Sequence, residues 1–260
     1  MPELVSIVVP SRNGAPHAFV LADEYRKQGL TPRYMIDSRS TRRYRDEALA
    51  RIDGASILEV PEAPDFIEAI LPELARMVET KWLFRLDDDE FPSARLIPWL
   101  TETVATTTKT VIAVPRRAVA IIDQTPMFAG TIPQLHPGDR QYRGFVVATA
   151  RFSPLLHSPG ILGEADDVHH APDDCCIYHF DWIVRSRAER ARKLKRYETI
   201  EGHALPIYRH QYLYEDFDPA VYDFTAVDEP SIADLALRLR DARPRPAQPD
   251  GRPRRTRRTG

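Results

Sequence analysis

The sequence predicts an α/β fold in which a mostly parallel sheet is flanked by helices. Three observations predict it. Short apolar runs of strand length, beginning with Val5-Ser6-Ile7-Val8-Val9-Pro10, alternate with helical stretches as far as Val104. Turn chemistry separates them, as at Ser11-Arg12-Asn13-Gly14. The apolar run Trp82-Leu83-Phe84-Arg85-Leu86 leads directly into the carboxylates Asp87, Asp88, Asp89 and Glu90. That is the pattern of a buried strand whose carboxyl end carries a site, because open α/β sheets gather ligands at the ends of their strands.

The elements follow in order. After the Val5–Pro10 strand, a helix is expected from Pro16 to Gln28, with Pro in its first turn and Gly29 as its stop. Arg33 to Asp37 reads as a second strand ending in the polar loop Asp37-Ser38-Arg39-Ser40-Thr41. A short helix covers Arg43 to Ile52, Ser56 to Val60 is a third strand, and Asp65 to Glu79 is helical despite Pro72. The Trp82–Asp87 strand precedes a helix from Ser93 to Val104, and Val111 to Pro115 is a further strand. From Thr125 to Asp174 Gly and Pro become frequent, which predicts irregular loops with short strands where a second substrate is gripped. Cys176 to Trp182 is a last strand. Ser186-Arg187-Ala188-Glu189 is a capping-box signature opening a basic helix to about Glu198. Ser231 is expected to cap a final helix ending at Ala242.

Composition bounds the function classes. The 260 residues suit one large domain, or one domain with an appendage. The formal net charge of −2 does not suggest a nucleic-acid binder as a whole. From Arg243 onward, however, seven Arg stand against Asp250 alone, leaving 29 of the 36 basic and 37 of the 38 acidic residues in an acidic body. This divides the chain into a main domain at 1–225, a peripheral helix at 226–242 and a Pro/Arg-rich tail at 243–260 expected to be disordered. Cys175 and Cys176 are adjacent, which disfavours a structural cross-link and fits a reducing cytoplasm. No C-x-x-C pattern points to zinc. Neither a signal peptide nor a transmembrane run is expected.

The acidic run carries the chemistry. On an extended chain Asp87 and Asp89 point the same way. Two carboxylates on one side of a strand end repel unless a cation lies between them, and all-oxygen ligation suits Mg²⁺ or Mn²⁺. A bare D-x-D is otherwise a solvated acidic turn.

Four segments together resemble the family 2 glycosyltransferases with the GT-A (Rossmann-like) fold, and are most similar to the bacterial branch that extends lipopolysaccharide cores. Ser6-Ile7-Val8-Val9-Pro10-Ser11-Arg12-Asn13 looks like the opening strand and turn. Trp82 to Glu90 looks like the D-x-D strand, usually W-x-x-x-L-D-A-D-E. Asp139-Arg140-Gln141-Tyr142-Arg143-Gly144-Phe145 is similar to the D-x-Q-x-R-L-F stretch. Tyr178-His179-Phe180 with Ser186, Glu189, Lys193 and Tyr197 looks like the H-[YF] strand and its S-x-x-E-x-x-x-K-x-x-x-Y helix.

The resemblance implies a metal-dependent, inverting transfer of a sugar from a nucleotide-diphosphate sugar to the hydroxyl of a glycan, lipid-linked or small-molecule acceptor. It implies donor-binding roles for Pro10, Arg12, Asn13, Asp37, Asp87 and Lys193, with Asp37 at the base or ribose and Asp87 near the ribose. Asp89 and His179 would hold Mn²⁺ or Mg²⁺. A carboxylate would act as general base. The family's His-Glu is replaced here by His157-Ser158, so the base is sought among Glu164, Asp166, Asp167, Asp173 and Asp174, with Glu164 first, Asp166 second and His157 an outsider. Asp88 replaces the usual small middle residue and either adds charge beside the metal or faces solvent. Gly144 replaces Leu, relaxing local packing. The same features leave two other readings: a sugar nucleotidyltransferase, for which Ser11–Gly14 is a poor phosphate loop, and a carbohydrate- or nucleic-acid-binding module. The basic tail suits peripheral contact with an anionic membrane at the cytoplasmic face.

Overall fold

A computed structural model describes residues 4–61, 66–130, 139–156, 158–162 and 165–243. The chain runs β1 (Val5–Ser11), α1 (His17–Lys27), β2 (Arg33–Asp37), α2 (Arg42–Arg51), β3 (Ser56–Leu58), α3 (Ile67–Arg76), β4 (Trp82–Arg85), β5 (Glu90–Pro92) and α4 (Leu96–Thr106). It continues through β6 (Val111–Ile122), β7 (Thr125–Ala129), β8 (Arg140–Val146), β9 (Arg151–Phe152), β10 (Ile161–Leu162), β11 (Val168–His170) and β12 (Ile177–His179). Then come α5 (Asp181–Val184), α6 (Arg187–Glu201), α7 (Arg209–Tyr212), β13 (Phe224–Ala226) and α8 (Pro230–Ala242).

The main sheet has the order β13-β7-β6-β8-β4-β1-β2-β3. Its block β4-β1-β2-β3 is all parallel, as the βαβ alternation requires. Alternation sorts the strand side chains between two faces. Trp82, Phe84 and Leu86 lie in one core cluster with residues of α1, α2, α4 and α8. Leu83, Val8 and Met35 lie in the other with Ile70, Leu71 and Leu74 of α3. With both faces covered, the strands read as continuous apolar runs, the mark of a buried parallel sheet. β8 then enters antiparallel between β4 and β6.

Direction and register bring the ends of several strands to one edge. β1, β2 and β4 all finish there, at Ser11, Asp37 and Arg85. β8 runs oppositely, so its first residues, Arg140 to Arg143, reach the same edge. β12 pairs parallel with β6 and antiparallel with β5, setting His179 opposite Glu90.

The structure differs from the expectations in four places. β6 does not stop at Pro115 but runs on to Ile122 and turns into β7. The last strand ends at His179, and Asp181 to Val184 form a helical turn rather than more strand. The capping box of α6 is present in full, but α8 starts with Pro230 after Glu229 and has no side-chain cap from Ser231. Nor is α8 peripheral: Ile232, Leu235, Ala236 and Leu239 belong to the main core cluster. Among the described residues no helix is long and apolar enough to cross a membrane, and Cys175 and Cys176 are buried free thiols.

Candidate active site

Over the shared sheet edge lies a cavity of about 1100 Å³. Pro10, Arg12, Asn13, Asp37, Asp87, Asp89, His179 and Lys193, the donor and metal residues singled out from the sequence, all line it. Asn13 Oδ1 accepts from the Thr41 N–H at 2.9 Å, joining the β1 and β2 turns. Asp37 is clasped by Arg39, whose backbone N–H and Nε donate to Oδ1 at 2.8 and 3.0 Å.

The acidic run does not stay extended. Glu90 N–H donates to Asp87 O at 3.0 Å, closing a turn. Asp87 and Glu90 share Arg143, Asp88 meets the β1 turn, and Asp89 meets β12 and the turn after α5. Asp87 accepts from Arg143 Nη1 at 3.2 Å and lies 3.3 Å from Arg85 Nε. Burial alone would raise its pKa, but Arg143 and Arg85 outweigh burial and hold it below the carboxylate range. Glu90, fully buried, accepts from Arg143 Nη2 and receives the Asp87 N–H at 2.9 Å. Here burial outweighs Arg143, and the carboxyl is pushed up to about 7.

Arg143 reaches both carboxylates because of a bulge. The β6–β8 register shifts between Ile112 and Ala113, which face Gly144 and Tyr142, leaving Arg143 as the extra residue. Bulges re-aim side chains in this way. Gly144 beside it sits in a tight space: a Cβ there would lie 3.0 Å from Ile112 Cβ and 3.3 Å from Phe84 Cδ2. The position is a close approach, not relaxed packing.

Asp88 does not face solvent. It is buried against the β1 turn, accepting from Ser11 Oγ at 2.5 Å, with His17 Nε2 at 3.7 Å. A Cβ on Gly14 would come within 2.4 Å of Asp88 Oδ2 and 2.6 Å of Ser11 Oγ, so a larger residue there would have to displace the Ser11–Asp88 pair.

Asp89 points to the β12–α5 side. Its backbone C=O accepts from Phe180 N–H at 2.8 Å, its Oδ1 lies 3.7 Å from His179 Nε2, and its Oδ2 accepts from Arg185 Nη1. Burial would raise Asp89, but Arg185 and His179 lower it overall. Burial depresses His179 to about 4, against the pull of Asp89, leaving a neutral imidazole with a free lone pair at pH 7. Asp181 completes the group: a ligand atom from each of Asp89, His179 and Asp181 lies within 4.8 Å of the others. Asp181 Oδ2 is buried and, among the described residues, has no hydrogen-bond partner, an acceptor that a cation would satisfy. Two carboxylates and a neutral imidazole fit Mn²⁺ or Mg²⁺.

Asp181 and Arg185 were not singled out from the sequence. Their signal was there: Asp181 follows His179 by two residues, and Arg185 follows Asp181 by one helical turn. Of the base candidates, Glu164 and His157 lie outside the described residues. Asp166 does not line the cavity, and the reason is register. β11 runs parallel to β6 with Val168 opposite Val111, so Asp166 and Asp167 lie at the far end of the sheet from Arg116 and Asp87. There Asp167 Oδ1 accepts from the Thr110 N–H at 3.0 Å. Asp173 pairs with Arg140 at 2.7 Å, and Asp174 pairs with Arg95.

No protein-family description and no curated protein matches this sequence. Solved structures do. S. aureus TarS 1-349 is 13% identical over 73% of this chain and 65% of its own, with a TM-score of 0.44. The same protein in complex with UDP-GlcNAc is 11% identical over 73% and 66%, with a TM-score of 0.46. Glucosyl-3-phosphoglycerate synthase from Mycobacterium tuberculosis, in complex with Mn²⁺, uridine-diphosphate and glucosyl-3-phosphoglycerate, is 19% identical over 45% of this chain and 44% of its own, with a TM-score of 0.36. The chain thus spans about two thirds of the first and under half of the last.

Proposed function

We propose that this chain is a metal-dependent, inverting glycosyltransferase of the GT-A type that moves a sugar from a nucleotide-diphosphate sugar to an acceptor hydroxyl. The observation that supports it most is the joint placement of Asp87, Asp89, His179 and Lys193 on one cavity at the strand ends, with Asp181 completing a cation-binding group. Mn²⁺ or Mg²⁺ held by Asp89, His179 and Asp181 would supply positive charge to the leaving diphosphate. Asn13 and Asp37 shape the nucleoside end, with Asp87 toward the ribose. Lys193 and Arg185 face the diphosphate. The acceptor oxygen forms a bond to the anomeric carbon as the carbon–oxygen bond to the diphosphate breaks, and the diphosphate leaves with the electron pair. The acceptor's proton passes to a carboxylate, for which Glu164 remains the candidate; Asp166 is on the wrong end of the sheet. The four motif segments favour the lipopolysaccharide-core-like branch, with a glycan or lipid-linked acceptor presented at an anionic membrane near the basic tail.

Hydrolysis of the donor in the absence of acceptor tests the reading. A panel of UDP-, GDP-, dTDP- and CDP-sugars with Mn²⁺ should yield one nucleoside diphosphate above background, and excess chelator should abolish it. Formation of nucleoside triphosphate and sugar 1-phosphate from the same donors when pyrophosphate is added would instead support the nucleotidyltransferase.

A further inference from the structure

The carboxylates that fit a divalent ion are already bridged by a side chain. Arg185 Nη1 donates to both Asp89 Oδ2 and Asp181 Oδ1, and its Nη2 lies 3.8 Å from Asp88 Oδ1. Lys193 Nζ donates to Asp181 Oδ1 at 3.1 Å. What remains for an ion is the other edge: Asp89 Oδ1, the neutral His179 Nε2 and the unpartnered Asp181 Oδ2. Three carboxylates face two resident cations, Arg185 and Lys193, so the cluster alone is close to balance. A divalent ion added beside an unmoved guanidinium would leave it over-charged, and an entering diphosphate would cancel the excess.

Arg185 is also placed to move. It lies between α5 and α6 in extended backbone (φ −113, ψ 138), lines the cavity, and its side chain is 26% exposed. Arg143, which bridges Asp87 and Glu90 nearby, is 1% exposed and sealed in.

We propose that Arg185 is a resident counter-cation that exchanges with the divalent ion. Without metal it ties Asp89 to Asp181; as the ion takes those carboxylates, the guanidinium swings to the diphosphate. Only the identity of that anion rests on the glycosyltransferase reading. The consequence is that metal and nucleoside diphosphate bind with positive coupling, and linkage makes the coupling reciprocal.

Mn²⁺ binding to the full chain, followed by the electron paramagnetic resonance of free Mn²⁺ and corrected for Mn²⁺ held by free nucleotide, tests this. In the wild type, whichever of UDP, GDP, dTDP or CDP binds should tighten Mn²⁺ binding about tenfold, within the ~5–150-fold range of such couplings. Arg185→Gln should bind Mn²⁺ alone about tenfold tighter than the wild type and lose most of the coupling. Mn²⁺ affinity in Arg185→Gln equal to or weaker than wild type, in a variant whose melt shows it folded, would overturn the exchange. If the variant does not fold, the wild type decides: equal Mn²⁺ affinity with and without nucleotide overturns the proposal. Either failure alongside Mn²⁺-dependent donor hydrolysis leaves the transferase reading standing, whereas no Mn²⁺ binding under any condition overturns both.

Discussion

Two clusters of charge are built from one tetrad of acidic residues, and they are built differently. Asp87 and Glu90 turn inward to Arg143, which a bulge delivers through the sheet; Glu90 has no exposure and Arg143 almost none. Asp89 turns to His179, Asp181 and Arg185 on the cavity wall, where both carboxylates are buried but the Arg185 side chain is 26% exposed. In the inner cluster Arg143, sealed in, pairs with both carboxylates. In the outer one a neutral imidazole and an unpartnered carboxylate oxygen stand beside a movable guanidinium. The inner cluster holds the turn in shape, and the outer one is left free to bind.

The largest effect that would break this contrast is on activity. Asp89→Ala should abolish Mn²⁺ binding and donor turnover, while its melting temperature in chelator stays near wild type because Arg185 still holds Asp181. Full turnover in this variant would remove Asp89 from the metal site. Next comes stability. Arg143→Ala strands Glu90 without its cation and should cost about 3–5 kcal/mol, read as a lower denaturant midpoint. Arg185→Gln should cost less, because Lys193 still pairs with Asp181 and the glutamine amide can still donate to the buried Asp89. Equal losses in the two variants would erase the distinction between the clusters.

A smaller effect probes how the outer cluster is carried. Ser186 caps α6, the helix that brings Lys193 to Asp181. Ser186→Ala should cost about 1 kcal/mol and lower Mn²⁺ affinity modestly. A loss reaching that of Arg143→Ala would mean that α6 is part of the inner support.

The smallest effect is one of pH. Glu90, held up to about 7 against its usual 4.5, keeps a proton that the unfolded chain has released, so its contribution is lost as pH rises through that window. His179, held down to about 4 against 6.5, stays neutral where the unfolded imidazole charges, so its contribution is lost as pH falls from 6.5 toward 4. The two slopes oppose each other where the windows overlap. Glu90→Gln leaves only the His179 slope, and melting temperature in chelator should then rise more steeply than wild type between about pH 5 and 6.5. An unchanged profile would show that Glu90 titrates as an ordinary carboxylate.

The parallel half of the sheet was legible because its signals are local. Apolar runs broken by turn residues gave β1 to β4 with helices between them, and Ser186 with Glu189 marked α6. What was missed depends on partners distant in sequence. Arg116 and Arg117 look like the end of a strand, yet β6 carries them onward because Arg116 Nε finds Asp139 Oδ2 at 2.7 Å. Ile183 and Val184 look like more strand, but the chain turns at Asp181 toward Lys193 and Arg185. Asp166 looked suitable by position after Arg143, and only the pairing of β11 with β6 shows that it faces the other end of the sheet. Residues that carry donor and metal character in their motifs converge on the cavity. Of the side chains that orient them, Arg143 stands in its motif with no role assigned to it, and Arg185 carries no such mark on its own.

The central claim is that the outer cluster binds a divalent ion together with a nucleoside diphosphate. The most direct measurement is the melting temperature of the wild type with UDP, GDP, dTDP or CDP, each with Mn²⁺ or with chelator. A ligand that binds the folded state raises the melt with the logarithm of its concentration over Kd. The account predicts that at least one nucleoside diphosphate raises the melting temperature with Mn²⁺, that chelator removes the shift, and that Asp89→Ala does not show it. The same shift in chelator, or no shift with any of the four, would contradict it.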